Sequence, residues 1–156
     1  MVCLVDPIVA YQISHGIAEK SAEALEIVEK ASLILLRQFC KAGILGIPIW
    51  AKEHWTLLVL RKMEKEVQVR YCDSLKGKSE FSASVADYIL EFLRNSCAAE
   101  FEFPIDLPEK SNIRSMHTNG IDCGFFLLHY WEGEVRRWIG EGWSVKFPTA
   151  SGKCPI

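Results

Sequence analysis

The sequence predicts an α+β fold in which a small, mostly antiparallel sheet packs against a buried helix. Three observations predict it. Short apolar runs rich in branched residues cluster between positions 44 and 72, as strands do. Longer segments on either side of them carry apolar residues at helical spacing. A last run beginning at Cys123 is apolar almost all round, the mark of a helix enclosed by the core.

Taken in order, residues 17–42 read as one helix. Ala22, Ala24, Leu25, Ile27, Val28 and Ala31 recur in helical fashion, while Glu23, Glu26, Glu29 and Lys30 share the solvent side. Gly43 stands where that helix should stop. Residues 44–50 and 55–61 are the first two strands. The polar stretch 63–66 leads to a third over 67–72, where Val67, Val69 and Tyr71 alternate with Gln68 and Arg70. Neighbouring strands so closely connected pair antiparallel. Residues 76–79 form a loop, and residues 84–97 carry Val85, Tyr88, Ile89, Phe92 and Leu93 at helical spacing. Residues 101–105 read as a fourth strand. Pro104, Pro108 and the polar run 109–119 then make a long surface loop. In the last helix, 123–139, the second half gains Glu132, Glu134, Arg136 and Arg137 and should emerge toward solvent. The tail 142–156 carries no readable pattern.

No repeat, low-complexity tract or linker divides the 156 residues, so residues 1–156 are read as one domain with a real core. Hydrophobic residues make up 49% and charged residues 24%, which fits a soluble globular chain and excludes a disordered one. A net charge of -2 and a pI near 6.1, with no basic stripe, argue against nucleic acid as a partner. The uncharged run 42–51 is too short to span a bilayer and contains Gly43, Gly46 and Pro48, so no membrane association is expected. Six cysteines are scattered without a CxxC pair, and Met1-Val2-Cys3-Leu4-Val5-Asp6 lacks the basic lead of a secretory signal. An intracellular compartment, cytoplasm or nucleus, is expected.

The informative stretch is Gly120-Ile121-Asp122-Cys123-Gly124-Phe125-Phe126, which sets one cysteine between a turn and an apolar helix. A thiol attacks a carbonyl only as thiolate, and a helix N-terminus favours the anion through its unpaired amides and partial positive charge. Asp122 reads as the N-cap, and Gly124 leaves room for close approach of a substrate. By itself Cys123 could equally be an ordinary small core residue. His54 begins a strand at what reads as its exposed end, between Lys52-Glu53 and Trp55. Asp73 closes the strand paired with it, and such a hairpin sets the carboxylate beside the imidazole, where it can orient the ring and stabilise its charged form. Taken alone, the first could be a surface histidine and the second a turn-forming aspartate. Their joint placement at adjacent strand ends is what points to a nucleophilic cysteine site.

His54-Trp55-Thr56-Leu57-Leu58-Val59, Tyr71-Cys72-Asp73-Ser74-Leu75 and Asn119-Gly120-Ile121-Asp122-Cys123-Gly124-Phe125-Phe126 resemble the three signature blocks of the Ulp/SENP family. These are cysteine proteases specific for ubiquitin-like modifiers and related to adenoviral proteases. The blocks stand in the family's order, His then Asp then Cys, and the resemblance covers roughly residues 44–139. It implies a papain-like, adenain-type fold with His54 as general base, Asp73 as its orienting partner and Cys123 as nucleophile. It implies that Trp55, with Gly124, lines a narrow channel for the Gly-Gly tail of SUMO or another modifier. The implied partners are such modifiers or their protein conjugates; no cofactor is implied.

Two departures from the family stand out. Six residues before the nucleophile, where the family usually carries a glutamine that donates to the oxyanion, this chain has His117. An imidazole N–H can donate the same bond, making His117 the candidate oxyanion-hole residue. Only 53 residues precede His54, fewer than usual in a region that contributes to substrate docking. Both departures raise the alternative of a catalytically weak or silent protein that still binds a modifier. A third reading is an acyltransferase with the same triad, which needs an acetyl-CoA site that is not evident. His117, Cys123 and His129 are evenly spaced, but six helical positions leave Cys123 and His129 about 120° apart, so no metal site is expected. Cys72, Trp131, Trp138 and Trp143 read as packing residues.

Overall fold

The computed structural model describes residues 1–63, 67–74, 80–100, 111–113 and 123–140, with the side chains of 97–100 and 111–113 left aside. Asp6 ends a short strand, β1 (Val2–Leu4), and starts helix α1 (Pro7–Glu19): its side chain accepts from the Ile8 amide at 3.0 Å, and Pro7 supplies a preset φ at the first turn. α1 stops at Lys20, which takes a left-handed φ of 59° and returns its amide to the Gly16 carbonyl. Ser21 then caps helix α2 (Ala22–Lys41) by accepting from the Ala24 amide at 3.1 Å. The single helix expected over 17–42 is therefore two helices, broken because Lys20 turns the chain and Ser21 restarts it. They pack closely across Gly16, where a Cβ would lie 2.2 Å from Val28 Cγ2.

Strands β2 (Ile44–Ala51), β3 (His54–Lys62) and β4 (Val67–Asp73) form the antiparallel centre of the sheet. β1 adds to β2 in parallel, and β5 (Ser111–Ile113) adds to β4 in parallel, giving the order β1-β2-β3-β4-β5. The α+β class expected from sequence holds; the edges make the sheet mixed. β5 falls in the stretch read as a surface loop, whereas the strand expected over 101–105 lies outside the described residues. Helix α3 (Glu80–Glu100) encloses the 84–97 segment and extends past both its ends.

The sheet is covered on both faces. Leu45, Ile47, Ile49, Leu58, Leu60 and Val69 face α1, α2 and α3 in the larger core. Ile44, Leu57, Val59 and Cys72 face helix α4 (Cys123–Trp138) through Leu127 and Tyr130. Burial on both faces explains why β3 reads as an unbroken apolar run from Leu57 to Leu60. Two glycines of this region let α4 indoles approach. A Cβ on Gly46 would lie 2.6 Å from the Trp131 ring, and one on Gly43 the same distance from Trp138.

α4 itself differs from expectation in two ways. It is not enclosed all round: Phe125 and Leu128 are 66% and 56% exposed, while Leu127 and Tyr130 point to the sheet. Its second half does not simply emerge, because Glu134 is buried. Glu134 Oε1 accepts from Arg70 Nη1 of β4 at 2.6 Å and from Arg137 Nη1 at 2.9 Å. A buried carboxylate needs such partners, and here they tie the helix to the strand that ends at Asp73.

Candidate active site

The β2–β3 hairpin closes through Lys52 and Glu53, with Ala51 opposite His54. Both turn residues have left-handed φ, 50° and 60°, the type I′ geometry whose twist matches that of paired strands. His54 follows at once. It is buried, not exposed as its place at a strand end suggested, because its ring turns toward β4. In the β3–β4 register Thr56 faces Asp73, so His54 and Asp73 are diagonal neighbours at one end of the sheet. His54 Nε2 lies 2.7 Å from Asp73 Oδ1, and the two side chains are only 5% and 9% exposed. The adjacency expected from the strand ends is present. A short, desolvated contact of this kind fixes the ring and reserves Nε2 for the carboxylate. The other ring nitrogen, Nδ1, is buried and has no hydrogen-bond partner among the described residues.

Cys123 is the first residue of α4 and is buried. The helix start meets the β2–β3 hairpin: a Cβ on Gly124 would lie 3.6 Å from Trp55 Cδ1, and Glu53 and Cys123 line the same groove. That groove has a volume of about 490 Å³. Trp50 and Trp55, cross-strand partners with ring centroids 4.9 Å apart, form one wall. Pro48, Leu4 and Leu128 add apolar lining. Trp55 and Gly124, expected at a substrate channel, thus meet beside Cys123. Glu53 and Trp50 are site residues that sequence reasoning did not single out. Only the backbone of the turn brings out the first, and only the pairing register the second.

His117, Asp122 and Gly120 lie outside the described residues. Cys72 adjoins Asp73 in the chain but belongs to the core beneath α4, where burial pushes its thiol well above the usual range. Cys3, Cys40, Cys72 and Cys123 are all unbridged. Among the described residues no group of three or more His, Cys, Asp or Glu could hold a metal ion, and no helix is long and apolar enough to cross a membrane.

The geometry is that of an α+β domain whose sheet presents a buried His–Asp pair near a helix opening with cysteine. No family model matches the chain. It is 33% identical over 92 residues to ubiquitin-like-specific protease 1A of Arabidopsis thaliana, a match taking in 54% of this chain and 16% of that protein's length. The Xanthomonas campestris effector XopD, solved bound to ubiquitin, superposes with a TM-score of 0.61 at 18% identity, over 99% of this chain and 72% of that one. The C-terminal Ulp1 protease domain, solved in complex with Smt3, the yeast ortholog of SUMO, superposes at 0.55 and 18% identity, over 85% of this chain and 56% of that one. The chain thus shares its fold with these protease domains and resembles the Arabidopsis protease over part of its sequence, spanning only a small share of that protein's length.

Proposed function

We propose that this chain is a thiol protease or isopeptidase that cleaves after the C-terminal glycine of a ubiquitin-like modifier. The observation that carries the reading is the buried His54–Asp73 contact at 2.7 Å, set next to a groove that Cys123 itself lines. Cys123, as thiolate, attacks the glycine carbonyl and forms a tetrahedral oxyanion. His54 takes the thiol proton and returns it to the leaving amine as the C–N bond breaks. Water, deprotonated by His54, then hydrolyses the thioester and releases the modifier's carboxylate. Asp73 keeps the ring oriented and offsets its positive charge. The amide of Cys123 and the side chain of His117 are the proposed oxyanion donors. The proposed partners are modifiers or their conjugates, SUMO and ubiquitin among them, and residues 1–156 are proposed to act as a single catalytic domain. The relatives support this reading by their names: the Arabidopsis protein is a ubiquitin-like-specific protease.

The test uses modifiers that carry a C-terminal electrophile. A covalent adduct at Cys123, lost in Cys123→Ala, together with turnover of a modifier–coumarin conjugate, is the expected outcome. Absence of an adduct with every ubiquitin-like modifier tried overturns the proposal. Binding without turnover places the chain with the silent modifier-binding alternative instead.

A further inference from the structure

Among the described residues that line the groove beside Cys123, Glu53 alone carries a charge. Its backbone is unusual as well. Glu53 and Lys52 both have positive φ, where a Cβ crowds the neighbouring carbonyl and where glycine or asparagine is the usual occupant. Strained non-glycine residues concentrate at sites of function, and this pair directly precedes His54. The two residues also part ways. Lys52 Nζ lies 5.7 Å from the centre of the Phe81 ring on α3, whereas Glu53 stays at the exposed rim of the groove. The turn therefore separates its charges, leaving an anion beside a wall of Trp50, Trp55 and Pro48. A carboxylate next to low-dielectric surroundings attracts a cation more strongly than one in open water.

We infer that Glu53 is a specificity residue of the groove, pairing with an arginine or lysine in the two positions just before the terminal Gly-Gly of the substrate. The inference rests on the proposed reading of the groove as the channel for a modifier's tail. Trp55 and Gly124 meet beside Cys123, where the glycines must lie. Glu53, Trp50 and Pro48 therefore meet the larger side chains upstream of them. The apolar wall takes the stem of a long basic side chain, and the carboxylate takes its head, an arrangement suited to an amphipathic cation.

The experiment uses coumarin conjugates of whichever modifier labels Cys123, with arginine, alanine or glutamate placed at each of those two positions. At one of them arginine should raise kcat/KM about fivefold over alanine, the range of an accessible ion pair, and glutamate should lower it. The preference should shrink with added salt, fall to parity in Glu53→Gln, and reverse in Glu53→Arg. Glutamine bears the same backbone strain as glutamate, so Glu53→Gln alone suffices if the arginine variant fails to fold. Turnover that ignores tail charge, or a preference that survives in Glu53→Gln, overturns the inference and leaves the proposed protease intact. If no modifier is turned over, the proposed function fails first and this inference fails with it.

Discussion

Asp73 bonds His54 through one ring nitrogen only, so the pair discriminates sharply between an acceptor and a donor at that position. Asp73→Asn keeps the shape but can present an amide N–H where the ring needs an acceptor, favouring the other tautomer. Under the proposed mechanism, kcat should fall about 1,000- to 10,000-fold while circular dichroism and modifier binding stay unchanged. A loss of less than tenfold would show that Asp73 does not orient the base. The pairing was legible in the sequence because His54 opens and Asp73 closes a run with clear strand character. Glu53 was not, since Lys-Glu is a poor signature for a left-handed turn and only the backbone reveals it. His54 was misjudged in burial for a related reason: a strand end looks exposed until the strand beside it is in place.

At the scale of elements, the α1–α2 junction shows how a helix boundary hides. Lys20 occupies the left-handed position that most often belongs to glycine, and the run of helical spacing continues through it. Lys20→Gly removes the Cβ strain at an exposed site remote from the groove. It should stabilise the protein by about 0.5–1 kcal/mol with turnover unaltered, read as a higher urea midpoint at constant slope. A lower midpoint would mean that the lysine side chain contributes more than its backbone costs. Helix α4 illustrates the opposite error. Its apolar residues outnumber what one face can hold, so Phe125 and Leu128 remain in solvent near the groove mouth. Conversely Glu134, which looked like a solvent residue, is buried because Arg70 is on the facing strand. Such a partner 64 positions away cannot be read from helical periodicity.

For the whole molecule, a central antiparallel sheet packed against the helix that begins at Cys123 followed from periodicity, but the helices on its other face and the sheet edges did not. β1 and β5 are three residues each and pair in parallel with strands distant in sequence, so neither leaves a local pattern. The covered sheet also sets the response to alkali. Tyr71, Cys72 and Tyr130 are buried against it, and desolvation, the leading cause for each, raises their pKa values in the fold. The folded state therefore holds three protons that the unfolded chain releases from about pH 9 upward. Their contribution to stability is fully present below that range and lost as pH rises through it. Urea midpoints should be flat from pH 7 to about 8.5 and decline above 9. The decline should weaken in Tyr130→Phe, which no longer has a proton to lose. An unchanged slope in that variant would show that the alkaline response arises elsewhere.

The proposed catalytic parts also have an order in time. His54 and Asp73 are separated by 19 residues and meet across neighbouring strands, whereas Cys123 arrives on the last described helix. A chain emerging from the ribosome N-terminus first exposes this His–Asp pair well before Cys123. The earlier Cys72 sits among core side chains once folded, where its proton is held. The proposed nucleophile thus follows, in synthesis, the strands that carry the proposed base and its partner.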